Sequence, residues 1–261
     1  MNLDGLDVEI LGPAFLAGLL VLTTHVPLGQ QVLARGIIFL DLAVAQIAAL
    51  GLIIAANFGW QSGGWQMQVI AVSAALVGAW LLYLSEKHWA DVQEAIIGCV
   101  FVLAASAGIL LLSSNPHGGE QLKELLAGQI LWVSYDQLLP VALLYAAVLA
   151  LWFSQWFKRY LQQYPILFYA LFAVTITTSV QLVGIYLVFA SLIIPALAVR
   201  HVVKNGLRIA YLLGIAGYVG GLLFSVLLDL PSGVSIVWTL AFCGIFGAVM
   251  ISVNKKGTKQ T

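Results

Sequence analysis

Three polar side chains, His25, Asp41 and Gln46, stand in stretches of the chain that are otherwise apolar. An ionisable group in hydrocarbon is costly, so it is expected to face a cavity, a partner or an ion. His25 near the end of one run and Asp41 at a similar depth in the next would meet in a hairpin, and such a pair suits zinc or manganese. Alternatively, Asp41 pairs with Arg35 and His25 hydrogen-bonds to a neighbouring helix.

Asp41 and Gln46 belong to the same apolar run and are five residues apart. Five residues advance an α-helix by about 500°, which leaves the two side chains roughly 140° apart. They need not face one ligand. We therefore hypothesise a transient metal site formed by Asp41 with either Gln46 or His25. The three groups need not bind the ion at the same time.

The elements that carry these residues are predicted to be membrane-spanning helices. Hydrophobic residues make up 62% of the 261 residues, and 11 Lys and Arg with 11 Asp and Glu are too few to cover a soluble protein. Runs of roughly 20 residues can cross a hydrocarbon core of about 30 Å. The sequence predicts one all-α membrane domain over 1–261, a polytopic bundle with about eight or nine spans near 10–28, 36–56, 66–85, 95–114, 137–157, 164–180, 182–199, 208–228 and 233–253. Alternatively, 164–199 forms two short helices in one hairpin, or one of these two helices is re-entrant.

Basic residues lie at every second joint between the apolar runs. Arg35, Lys87, Lys158, the 200–208 joint and the C-terminal lysines follow this pattern, and the intervening joints hold almost no Lys or Arg. The positive-inside rule then places the N-terminus outside and the C-terminus in the cytoplasm. A formal net charge of zero argues against a basic surface for nucleic acid.

One stretch between spans, 115–135, is too polar and too short to cross a membrane. Its apolar residues Leu122, Leu125, Leu126 and Ile130 repeat at helical spacing. We expect a helix that lies at the outer surface or dips back into the bundle.

The chain lacks the sequence motifs of common enzyme sites. It contains no G-x-x-x-x-G-K-[ST], no nucleophile elbow and no H-E-x-x-H, so it is not expected to bind ATP by itself. Its apolar runs also supply too few Ser, His and paired carboxylate groups for an intramembrane active site. A conduit, not an enzyme, is the better interpretation.

Three stretches carry a resemblance to a known family. They read HVPLGQQVLARGIIFLDLAVAQIAALG at 25–51, VGIYLVFASLIIPALAVR at 183–200 and GYVGGLLFSVLLDLPSGVSIVW at 217–238, with weaker similarity at EAIIG, 94–98, and LLAGQILWVSYDQL, 125–138. In these stretches the chain resembles the membrane permease subunits of bacterial ABC importers for zinc and manganese.

The resemblance implies a type II, metal-chelate-like ABC importer permease in the bacterial inner membrane. Its implied partners are a cytoplasmic ABC ATPase subunit, a periplasmic or lipoprotein metal-binding protein, membrane lipid and a second copy of the chain. The zinc or manganese ion would be cargo, and no permanently bound cofactor is expected.

Two regions depart from the family pattern. Family members carry Gly-Asp-Ala-Leu-Ser-His or a close variant in the second span, where the Asp and the His are regarded as metal ligands. An ungapped match of Arg35 and Gly51 sets Leu42 at the Asp and Gln46 at the His, with Asp41 one residue early. The second departure is the 157–165 joint, about a dozen residues shorter than the family loop that holds an ATPase-docking helix.

The leading hypothesis is a permease that passes zinc, or next manganese, into the cytoplasm with energy from a separate ATPase. A proton-driven secondary transporter with Asp41 as relay is one alternative. A membrane subunit that only scaffolds a complex is another, favoured by the altered ligand register and the short joint.

Overall fold

A computed structural model describes residues 8–58, 65–113, 115–202 and 204–257. Helices are the regular structure in these residues, and short 3-10 turns at Ala90–Val92 and Ile130–Trp132 precede two of them. The α-helices, in chain order, are α1 Val8–Arg35, α2 Leu40–Asn57, α3 Trp65–His88, α4 Gln93–Leu112, α5 Gly118–Ala127, α6 Tyr135–Phe153, α7 Gln155–Gln163, α8 Ile166–Val183, α9 Ile185–Ala198, α10 Gly206–Leu228 and α11 Ser232–Gly257.

The predicted number of spans is confirmed. Within the described residues, eight helices are long and apolar enough to cross a membrane. The ninth predicted span, 182–199, corresponds to α9, whose 14 residues extend only about 21 Å, less than a hydrocarbon core of about 30 Å. The first span is longer than predicted, because α1 continues beyond residue 28 to Arg35.

Basic residues gather at one end of the bundle, here called the Arg35 end. Arg35, Lys158 of α7 and Leu207 of α10 line one cavity of about 430 Å³. Basic residues from separate joints of the sequence therefore lie at the same end of the folded bundle. The C-terminal lysine side chains lie outside the described residues.

Glycines allow the helices of the bundle to approach closely. Gly29 of α1 lies against the main-chain carbonyl of Leu192 on α9, and Gly217 and Gly221 of α10 lie against Leu240 and Ile236 of α11. A Cβ atom at any of these glycines would overlap its neighbour. These glycines thus serve helix packing, since small residues let neighbouring backbones approach closely in lipid.

The 115–135 stretch combines the two expected arrangements. α5 is largely exposed, but Ile130, which follows it, is fully buried. Between them Gly128, with φ of 70°, lies against the backbone of Gly184, with φ of 84°, at the junction of α8 and α9. Such positive φ values at so close an approach favour glycine. The segment after α5 therefore dips into the bundle.

The 157–165 joint is helical, which its short length did not suggest. The preceding span ends at Phe153 and not near 157, and α7 follows after Ser154 alone. In α7, Phe157 is buried while Trp156 and Tyr160 are exposed, with ring centroids 4.4 Å apart. The short joint therefore still contains a helix of nine residues.

Candidate functional site

His25 lies in the middle of α1 and is fully buried. Its Nδ1 atom is 2.9 Å from the carbonyl oxygen of Val21, so Nδ1 carries the proton and donates it. Nε2 then presents its lone pair, and this buried atom has no hydrogen-bond partner among the described residues. Within the described part of the chain, the expected hydrogen bond to a neighbouring helix is not formed, and the hydrogen-bond partners of His25 belong to α1 itself.

Asp41 is the second residue of α2 and is only 1% exposed. Neither carboxylate oxygen has a hydrogen-bond partner in the described part of the chain. The alternative of an ion pair with Arg35 is not realised, since the Arg35 guanidinium lies over the Phe168 ring, 4.3 Å from its centroid. A buried carboxylate without donors is unfavourable and marks this position as unusual.

The structure does not bring His25 and Asp41 together. The two side chains form no hydrogen bond with each other. α1 continues ten residues beyond His25, about 15 Å along its axis, whereas Asp41 stands at the beginning of the next helix. The similar depth that the sequence suggested is therefore wrong, because α1 does not end near residue 28.

Gln46 is also buried, with 7% of its surface exposed, one and a half turns further along α2 than Asp41. From the Arg35 end, the order of the three groups along the bundle is Asp41, Gln46 and His25. The three predicted ligands are thus spread along the helix direction. No group of three or more His, Cys, Asp or Glu side chains within the described ranges is arranged to hold a metal ion.

Glu94, in the first turn of α4, is an acidic residue that the sequence did not mark as a site candidate. Its Oε1 atom accepts a hydrogen bond of 3.2 Å from the backbone N–H of Phe39, the residue that precedes α2. Its Oε2 atom is buried and has no partner in the described residues. The predicted span began one residue later, so Glu94 appeared only as a joint residue in EAIIG.

Most other buried polar groups, in contrast, are paired, although the buried Thr177 Oγ1 of α8 also has no partner among the described residues. The Ser179 hydroxyl donates a hydrogen bond of 2.7 Å to the carbonyl oxygen of Thr175 and accepts one from the Tyr145 hydroxyl. Ser191 donates to a carbonyl in the same way and lies 2.8 Å from the Tyr218 hydroxyl. These pairs join α6 to α8 and α9 to α10.

A cavity of about 490 Å³ opens at the end of the bundle opposite Arg35. The ends of α2 and α8, the beginning of α3 and the side of α5 enclose it. Its polar lining consists of one carboxylate and several amides: Glu124, Gln68, Gln121, Gln129 and Gln181. This cavity is therefore polar and lies at the end of the bundle away from Asp41.

Two curated relatives match almost the whole chain. The manganese transport system membrane protein MntC of Halalkalibacterium halodurans is 27% identical over 251 residues, which cover 89% of this chain and 84% of that protein. The high-affinity zinc uptake system membrane protein ZnuB of Haemophilus influenzae is 23% identical over 253 residues, 90% of this chain and 95% of that protein.

A solved structure and a family model agree with these matches. PsaBC from Streptococcus pneumoniae in complex with Fab has a chain that superposes with a TM-score of 0.73 at 20% identity, over 95% of both chains. The all-α fold expected of a metal-chelate-type ABC permease is thereby confirmed. The model of the ABC 3 transport family matches residues 7–252. Since this match covers nearly the whole sequence, the chain belongs to the ABC 3 transport family.

Proposed function

We propose that the chain is the membrane permease subunit of an ABC importer for a divalent metal ion. The observation that carries the proposal is the family match over residues 7–252, and relatives named for manganese and zinc transport support it. In this role the chain performs no catalysis of its own, and the metal ion is its cargo. The single permease domain moves the ion, and a partner hydrolyses ATP.

In this proposal the ion enters through the polar cavity beside α5 and leaves at the Arg35 end. His25, Gln46 and Asp41 then act as successive transient ligands and not as one closed site. Their spread along the bundle supports this order. A conduit needs ligands that bind weakly enough to release the ion, so isolated donors suit transport better than a four-ligand cage.

Zinc and manganese are the two cargo candidates, and the donors distinguish them. The imidazole nitrogen of His25 suits zinc, whereas the carboxylate of Asp41 and the amide oxygen of Gln46 suit manganese. Zinc is the first candidate if His25 is an obligatory ligand. Manganese is the first candidate if the oxygen donors of α2 suffice.

The proposed partners occupy the two ends of the bundle. At the Arg35 end, exposed Arg200 and Lys204 between α9 and α10, together with Lys158 on α7, offer a basic docking surface for the ATPase. This end, with the C-terminus, would face the cytoplasm of a bacterial cell. An outer metal-binding protein would deliver the ion to the cavity beside α5, and a second copy of the chain would complete the permease.

Uptake by proteoliposomes that contain the chain and its ATPase tests the proposal. The vesicles would carry ATP on the side of the ATPase, and the delivering protein would be supplied loaded with zinc or manganese. We expect ATP-dependent metal accumulation, with a catalytically inactive ATPase as control. A non-transporting scaffold predicts no accumulation with either metal, and a proton-coupled transporter predicts accumulation that continues without ATP and stops when the proton gradient is discharged.

A further inference from the structure

We propose that Asp41 and Glu94 together form a cation site at the Arg35 end of the bundle, in which Glu94 is a ligand and the cargo ion is held before release. The inference rests on the proposed function and adds to it a residue outside the three predicted ligands. It also places the last binding step at the beginning of α2 and α4.

The geometry brings both carboxylates to the same turn of α2. Glu94 accepts the N–H of Phe39, and Asp41 follows two residues later in the chain. α2 packs closely against α4 along their lengths. The Glu94 charge also acts on the Asp41 carboxylate. The two acidic groups therefore lie at the same end of the α2–α4 pair, although 53 residues separate them in the sequence.

Three of the four carboxylate oxygens are without protein donors. Both oxygens of Asp41 and Oε2 of Glu94 are buried and have no hydrogen-bond partner in the described residues. Two carboxylates that share a site cannot both remain ionised without compensation. A divalent cation between them compensates both charges and satisfies the free oxygens.

A role in helix capping does not explain this arrangement. Carboxylates are favourable near helix N-termini because free N–H groups point toward them. Glu94 uses one of its oxygens in this way. The N–H groups of Leu42 and of Asp41 itself interact with the Asp41 carboxylate, but neither meets hydrogen-bond geometry, and an exposed carboxylate would cap the helix without the cost of burial. The burial of Asp41 points instead to a ligand.

The ligand chemistry fits a release site. Two carboxylates supply hard oxygen donors, and the remaining positions around the ion would be filled by water, as is common for divalent cations bound by few protein ligands. With only two protein ligands the site binds weakly, which suits an ion about to leave.

Binding of Mn²⁺ to the purified permease–ATPase complex in nanodiscs tests the inference. Free Mn²⁺ would be measured by electron paramagnetic resonance during a titration of wild type, Glu94→Gln, Asp41→Asn and the double variant. We expect each single change to weaken Mn²⁺ binding at least about tenfold. The double variant should bind Mn²⁺ only slightly more weakly than the single variants, because each single change already removes the shared site.

Glu86→Gln provides the matched control. Glu86 is a carboxylate at the same end of the bundle, in the last turn of α3, and its change should leave Mn²⁺ binding within about twofold of wild type. The inference is overturned if Glu94→Gln binds Mn²⁺ like wild type while the complex remains folded and assembled. It is also overturned if Glu86→Gln weakens binding as much as Glu94→Gln does. Failure of the wild type to transport any metal, with Glu94-dependent Mn²⁺ binding intact, would instead contradict the proposed function.

Discussion

Tyrosine hydroxyls in the middle of the bundle are paired with serines, whereas two carboxylates at its Arg35 end have unpaired oxygens in the described residues. In the middle, Tyr145 and Tyr218 each reach a serine whose own proton is donated to a carbonyl. At the Arg35 end, Asp41 and Glu94 bury carboxylate oxygens without donors in the described residues. An unsatisfied buried polar group costs about 1–3 kcal/mol, and more when it is charged. The paired groups therefore stabilise the fold, whereas the unpaired carboxylates carry a cost that a bound cation would offset in the proposed site.

His25 lies in the middle but belongs with the unpaired groups. Its Nδ1 is satisfied within α1, while its Nε2 has no partner in the described ranges. Paired and unpaired polar atoms can therefore belong to the same side chain, and they do not simply divide between two regions of the bundle. Substitutions at four positions test this account of the bundle, and they are ordered by the size of the effect expected.

Asp41→Ala should have the largest effect and should separate transport from stability. We expect ATP-dependent metal uptake to fall more than about tenfold, because a ligand is lost. The free energy of unfolding should not fall, since no protein hydrogen bond is removed. Uptake and thermal unfolding of the same preparations measure both quantities. Uptake at the wild-type level would remove Asp41 from the mechanism.

Gly29→Ala should destabilise the close contact between α1 and α9. The added Cβ overlaps the Leu192 carbonyl, and overpacking of this kind costs about 1–3 kcal/mol. Gly98→Ala on α4 is the control, because its Cβ would meet nothing within 4 Å. Chemical unfolding in detergent compares the two variants. Equal stability of both would show that the middle of the bundle is less tightly packed than described.

His25→Asn and His25→Gln separate the two ring nitrogens. The Asn amide can replace the Nδ1 donor toward Val21 but leaves the Nε2 position empty, whereas the longer Gln side chain extends a polar atom toward the Nε2 position. We expect Asn to lower uptake by up to about tenfold, equivalent to about 1.4 kcal/mol, and Gln to lower it less. Initial uptake rates with zinc and with manganese provide the comparison. A drop that is equal for both variants would assign the role of His25 to Nδ1.

Tyr218→Phe should have the smallest effect, confined to stability. It removes the hydroxyl that pairs with Ser191 and leaves the ring in place against Gly18. The expected loss is about 1 kcal/mol of the free energy of unfolding, with uptake per folded molecule unchanged. A loss of uptake larger than the loss of folded protein would place Tyr218 on the ion path.

The sequence predicted the spans well because each apolar run is long and bounded by polar joints. It placed 182–199 as a full span, since the hydropathy of α9 does not reveal that Gly184 joins α8 and α9 around Gly128. It missed α7 because Trp156, Phe157 and Tyr160 continue the apolar character of α6 across Ser154. The local hydropathy pattern thus located the helices. It did not locate their ends, which depend on contacts between distant segments.

The candidate site was only partly accessible from the sequence. His25, Asp41 and Gln46 were identifiable because polar residues are rare inside apolar runs. The relative depth of these residues in the bundle could not be predicted, since it depends on where α1 ends. Glu94 was missed because its link to α2 is a hydrogen bond to a backbone N–H 55 residues away. No spacing rule within one helix indicates such a contact.

A side-by-side comparison of Asp41→Ala and Tyr218→Phe in ATPase-coupled proteoliposomes tests the central claim most directly. Metal uptake and thermal unfolding would be measured on the same vesicle preparations. The account predicts that Asp41→Ala is as stable as wild type but transports poorly, while Tyr218→Phe is less stable but transports normally. The reverse result, with Asp41→Ala transporting normally and Tyr218→Phe inactive though folded, would contradict it.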